Sequence, residues 1–146
     1  PEPQITFNDF LLYINPETGI TEIGVLSIHY IDGDGDIGLE QADTLEPYQP
    51  GGDFYYNFKV RYFEQQMGQL VEVPVNFNAR IPPLIPKEQT RSIKGIIEQE
   101  MFIYNPTSTF DTIQFKVQLI DRALNISNEV STPLIIRIVP DSLKGQ

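Results

Sequence analysis

Cysteine and tryptophan are absent from the 146-residue sequence, and there is a single histidine, His29. Without cysteine no disulfide, zinc thiolate or thiol nucleophile can form within the chain, and one histidine excludes a multi-histidine metal site. Basic residues are scarce: ten Lys and Arg stand against twenty Asp and Glu, a formal net charge of −10. Nucleic-acid binding needs clustered Lys and Arg for phosphate contacts, and docking on anionic lipid needs the same, so both are argued against. The negative balance favours solubility and the attraction of cations. Long hydrophobic runs are missing too. The greasiest stretch, residues 134–139, is interrupted by Arg137 and falls far short of the ~20 apolar residues of a membrane-spanning helix.

What is present is a globular composition, 40% hydrophobic and 11% aromatic, at a length that suits one domain. The dominant period is two, which is the period of strands. Strands are predicted over residues 4–14 and 21–31, with Leu26, Ile28 and Tyr30 on one face and Ser27 and His29 on the other. Residues 54–63 alternate, with Phe54, Tyr56, Phe58, Val60 and Tyr62 facing inward and Tyr55, Asn57, Lys59, Arg61 and Phe63 outward. Residues 70–79 follow after a turn at residues 65–68, and Pro74 marks them as an edge strand because it lacks a ladder donor. Pro82, Pro83 and Pro86 suggest an extended crossover between sheets. Further strands are expected over 92–104, over 112–121 with Ile113, Phe115, Val117 and Leu119 inward, and over 129–139. Residues 122–128 read as a hairpin turn with Asn125 as its left-handed residue. About seven strands with turn signals between them predict one antiparallel β-sandwich over residues 1–146, with 140–146 a frayed tail.

The last third of the chain carries a resemblance. Leu119-Ile120-Asp121-Arg122-Ala123-Leu124-Asn125-Ile126-Ser127-Asn128, followed by Val130 and Thr132-Pro133, resembles the closing hairpin of bacterial immunoglobulin-like and fibronectin-like domains. There an Asp-Arg-Ala-Gly-Asn-x-Ser-Asn segment joins the final two strands; Leu124 stands in place of the glycine. The Asp-Gly-Asp-Gly-Asp-Ile-Gly stretch after an early strand is similar to uncharacterised lipoproteins of Gram-negative cell envelopes. The resemblance implies an immunoglobulin-like sandwich, exported to the periplasm or cell surface and lipid-anchored upstream of Pro1, with no family activity to carry over.

The chemistry concentrates in residues 32–43. Asp32, Asp34, Asp36, the Gly38 carbonyl, Glu40 and Asp43 occupy positions 1, 3, 5, 7, 9 and 12 of a calcium loop. Leu39 sits at position 8, where the helix–loop–helix motif has an apolar anchor, but position 6 is Ile37 instead of glycine and the flanks are not helical. A Ca²⁺ site with an affinity of roughly 10⁻⁴–10⁻³ M is one reading. The other is a metal-free acidic turn, since Asp-Gly occurs twice and is a strong turn signal. Repulsion does not decide between them: two carboxylates about 6 Å apart in water repel by only roughly 0.7 kcal/mol. The ordering entropy of a long irregular loop favours the cation. A dinucleotide reading of Gly33, Gly35 and Gly38 fails, because Asp34 and Asp36 would face a pyrophosphate and Pro47 cuts off the helix that should follow.

No Gly-x-Ser-x-Gly accompanies His29, and nothing singles out one carboxylate pair among twenty acids, so the expectation is a protein without enzymatic activity. Tyr55, Arg61 and Phe63 share an outward face; the preferred reading is that they pack under the long loop or on a neighbouring strand, and the other is that they are contacts for an unidentified protein or glycan ligand. The functional expectation is an exported binding or scaffolding domain with a calcium-stabilised loop; the alternative is a carbohydrate-recognition module accessory to polysaccharide uptake.

Overall fold

The computed structural model describes residues 2–33, 36–84, 93–104, 108 and 110–139. Among them lie eight strands and no helix: β1 (Gln4–Ile14), β2 (Thr21–Asp32), β3 (Phe58–Gln66), β4 (Gln69–Glu72), β5 (Ile93–Phe102), β6 (Thr112–Leu119), β7 (Val130–Ser131) and β8 (Ile135–Ile136). They form two antiparallel sheets. One has the order β1-β2-β5; the other has β4-β3-β6-β7, with β8 also on β6. This all-β arrangement is the antiparallel sandwich predicted by the two-residue period, and it is consistent with the immunoglobulin-like fold that the resemblance implies.

The alternation places the core as the pattern requires. Leu26, Ile28 and Tyr30 from β2 are buried together with Phe58, Val60 and Tyr62 from β3 and Ile113, Phe115, Val117 and Leu119 from β6. Phe115 sits at the centre, with Phe10 stacked on it at 5.4 Å from the opposite sheet and Tyr62 and Phe77 each 5.4 Å away. Rings at such spacing are worth more than their buried area alone. β3 turns into β4 through Met67 and Gly68, both at positive φ (52° and 80°), the geometry that suits the twist of a two-residue hairpin.

Four expectations are corrected. The third strand begins at Phe58, not Phe54. Asn57 is buried, and its carboxamide donates to the Ile81 carbonyl (2.9 Å) and accepts from the Ile81 N–H (2.6 Å), so a side chain replaces the missing ladder. The strand predicted over 70–79 is short. The Val73 N–H still reaches the Tyr62 carbonyl (2.9 Å), and pairing then stops because Pro74 has no donor; β4 does lie at a sheet edge, as expected. The strand predicted over 129–139 is split into β7 and β8 around Pro133. The left-handed residue of the closing turn is Leu124 (φ 69°), not Asn125. Leu124 thus occupies the position of the glycine in the segment it resembles. Pro86 and residues 140–146 lie outside the described residues.

The two ends of the sandwich differ. At one end Arg137 and Glu64 form a buried ion pair (3.1 Å). The Tyr62 phenol and the Ser108 hydroxyl both donate to Glu64 Oε2 (2.7 and 2.8 Å), and Arg137 also donates to the carbonyls of Ile103 and Phe110 (2.7 and 3.0 Å). The arginine that interrupts the apolar run is therefore satisfied internally. The acidic loop lies at the other end, where β2 and β6 finish.

Candidate functional site

Continuing the inward alternation of β2 by one more inward position, from Tyr30 to Asp32, carries a carboxylate into the interior; Asp32 is 0% exposed. The same step past the end of β6, from Leu119 to Asp121, does so again, and Asp121 is 2% exposed. The two strands belong to different sheets, so the aspartates meet only because the sheets stack. Asp36 is the third member. One oxygen from each of Asp32, Asp36 and Asp121 lies within 4.8 Å of the others.

Local bonds hold the three in place. The Asp36 N–H donates to Asp32 Oδ2 (2.7 Å), closing the acidic loop on the end of β2. The Asp36 carbonyl accepts from the Arg122 N–H (3.1 Å) and Asp36 Oδ2 from the Ala123 N–H (3.3 Å), which fastens the loop to the closing turn. Asp121 accepts from the Asn125 N–H (2.8 Å) and from its side-chain amide (3.1 Å). Asp36 Oδ1 is buried without a hydrogen-bond partner. Burial first, then a carboxyl-to-carboxyl hydrogen bond with Asp32 that requires a proton on Asp36, then the charges of Asp121 and Asp32, push the Asp36 carboxyl up to about 6 from its ordinary 3.8. Burial and, less strongly, the Asp32 charge also raise the Tyr30 phenol. An oxygen-only donor set of three carboxylates suits a hard divalent cation, and the unpartnered Asp36 oxygen is where such an ion would relieve an unsatisfied acceptor.

Among the described residues, the acids Glu40 and Asp43 of the predicted ligand set do not join this cluster. Asp34 lies outside the described residues. Gly38 is buried at φ 132°, and a Cβ on it would sit 2.2 Å from Pro83 Cα, so close packing demands glycine. Ile37 and Leu39 on either side are buried and anchor the loop. Glu40 is exposed, and its carbonyl accepts from Arg80 (2.9 Å). Asp43 pairs with Arg122 (2.5 Å) and accepts from the Glu40 N–H (2.8 Å). The loop thus departs from the linear calcium spacing after Asp36, and Asp121, which that spacing could not name, takes part instead.

Tyr55, Arg61 and Phe63 are not one exposed face. Phe63 is buried, with the Arg61 guanidinium 5.1 Å and the Lys116 ammonium 5.0 Å from its ring centre. Arg61 pairs with Glu72 (2.8 Å) and Glu129 (3.3 Å). Tyr55 lies apart, in the irregular segment before β3, with Arg80 4.3 Å from its ring centre. It lines an open cleft of about 800 Å³ with Leu39, Glu40, Gln41, Arg80 and the pair Pro82-Pro83. Arg80 also donates to the carbonyls of Tyr55 (2.7 Å) and Asp43 (2.9 Å), clamping the loop that forms the cleft wall.

No protein-family model, curated protein or solved structure matches the chain. Among the described residues no helix is long and apolar enough to cross a membrane.

Proposed function

We propose that the chain is a non-enzymatic binding or scaffolding domain of a bacterial cell envelope, exported and stabilised by a calcium ion at Asp32, Asp36 and Asp121. The observation that carries the calcium reading is the convergence of three acid side chains from both sheets around a buried, unpartnered carboxylate oxygen. An ion there would tie the end of β2 to the turn after β6 and set the loop at residues 36–43. Envelope export rests on the resemblance of residues 119–133 to the closing hairpin of exported sandwich domains. The non-catalytic reading draws support from the separation of the cluster from the cleft, whose lining contains none of the three aspartates.

Calorimetric titration of metal-free protein with Ca²⁺ tests the ion. Heat of binding is expected in the native sequence and absent from Asp121→Asn and Asp32→Asn. Binding that survives both substitutions, or no binding at millimolar Ca²⁺, refutes it. A second reading, carbohydrate recognition, retains Tyr55 in the cleft as its one aromatic contact. It predicts glycan-array signals that Tyr55→Ala removes and Phe63→Ala does not remove specifically.

A further inference from the structure

Strands at sheet edges present unpaired N–H and C=O groups, and folded proteins usually blunt them. Three of the four edges here are blunted. β1 shifts register at Phe7/Asp9 and at Tyr13/Ile14, and the Asn128 carboxamide holds the Ile5 N–H and carbonyl (2.9 and 2.8 Å). β4 has four residues and ends just before Val73-Pro74; β7 and β8 have two each and flank Pro133. β5 has no bulge and no proline, and is guarded only by the charges of Lys94, Glu98 and Glu100 and by one side-chain bond to its edge. It runs for ten residues without proline, keeps one continuous register with β2 from Ile93 to Phe102, and has no strand on its other side among the described residues.

The direction of its free groups follows from one bond. The Ile103 N–H donates to the Glu22 carbonyl (2.8 Å), so the pairs of odd-numbered β5 residues with β2 are the hydrogen-bonded ones. The even-numbered residues Lys94, Ile96, Glu98, Glu100 and Phe102 turn their N–H and C=O groups outward along the edge, and all five are exposed. The Gln99 side-chain amide leans across to the Glu100 carbonyl (3.3 Å).

We infer that this edge pairs antiparallel with the same edge of a second copy of the chain, about a two-fold axis at Ile97. In that register Lys94 of each copy lies opposite Glu100 of the other, and Ile96 lies opposite Glu98. Opposite charges directly across an antiparallel ladder stabilise it and like charges destabilise it. Moving the axis one residue toward the C-terminus sets Glu98 against Glu98 and Lys94 against Phe102. Moving it one residue the other way pairs Lys94 with Glu98 and leaves Glu100 beyond Ile93 of the other copy. The Ile97 axis therefore sets Lys94 against Glu100 twice, keeps both within the paired stretch and brings no like charges opposite one another, with Glu98 facing Ile96. The interface is isologous, and it joins the two three-stranded sheets into one of six. A contact limited to strand edges is smaller than a standard interface, so the dimer should dissociate on the order of 10–100 µM.

Sedimentation velocity of the full chain over a concentration series tests this. The native chain is expected to shift from monomer to dimer. Lys94→Glu should weaken the dimer about tenfold or more, because two attractive pairs become repulsive. Lys94→Glu combined with Glu100→Lys should restore it, since the charge pattern is then exchanged but complementary. A chain that stays monomeric throughout overturns the inference. So does a dimer indifferent to Lys94→Glu, or a double variant no stronger than the single one. Circular dichroism of each variant separates lost pairing from lost folding.

Discussion

In metal-free protein Asp36 should be a source of instability, and replacing it with asparagine should stabilise the fold. Its folded-state carboxyl titrates at about 6 against an ordinary 3.8. A raised value means that the proton binds more tightly in the folded state. The stabilisation from the bound proton is complete below about 4 and is lost as pH rises through about 6. The gap corresponds to about 3 kcal/mol at face value. Asp36 is only half-buried, and solvent screening reduces this to roughly 1–2 kcal/mol. Asparagine keeps an oxygen for the Ala123 N–H and offers an amide to Asp32. Asp36→Asn should therefore be more stable than the native chain by roughly 1–2 kcal/mol at pH 7.5 in EDTA, and near parity at pH 4. Calcium offsets this deficit. With a dissociation constant of roughly 10⁻⁴–10⁻³ M, 10 mM Ca²⁺ stabilises the native chain by about 1.4–2.7 kcal/mol, and Asp36→Asn should gain far less. Urea unfolding of both proteins at both pH values, with and without Ca²⁺, measures every term. An Asp36→Asn variant less stable than the native chain at pH 7.5 in EDTA would refute the electrostatic reasoning.

Three further outcomes follow from the same geometry. Gly38→Ala forces a Cβ against the Pro83 backbone at a φ suited to glycine; it should cost about 3 kcal/mol or more in urea unfolding and displace the loop. Arg137→Met leaves Glu64 buried without its cation, a loss of about 3–5 kcal/mol that adding Glu64→Gln should partly recover, as a double-mutant cycle would show. Asn57→Ala strips the Ile81 N–H of its partner and leaves the Ile81 carbonyl with the Leu39 N–H alone; it should cost about 1–3 kcal/mol, seen as an earlier thermal midpoint.

Much of this was legible from the letters because a strand's side-chain period is local. Ile113, Phe115, Val117 and Leu119 were expected inward and are fully buried, and His29 was expected outward and is exposed. The errors arose where a side chain competed with the backbone or a proline withheld a donor, at Asn57, Pro74 and Pro133. Phe63 lies on the outward face and is nonetheless buried, because alternation names a face and not its cover, which Arg61 and Lys116 supply.

Within the acidic stretch, the sequence alone determined that carboxylates crowd the end of a strand and that Asp32 continues an inward alternation. It carried the same signal at Asp121, one step beyond Leu119, some 90 residues further along the chain. Only the tertiary structure decided that these two aspartates share one buried site with Asp36 while Glu40 and Asp43 turn away. Alternation reports which way a side chain faces its own sheet. Which side chain meets it there is set by how two sheets stack and how the loop closes over them, and no local spacing records that.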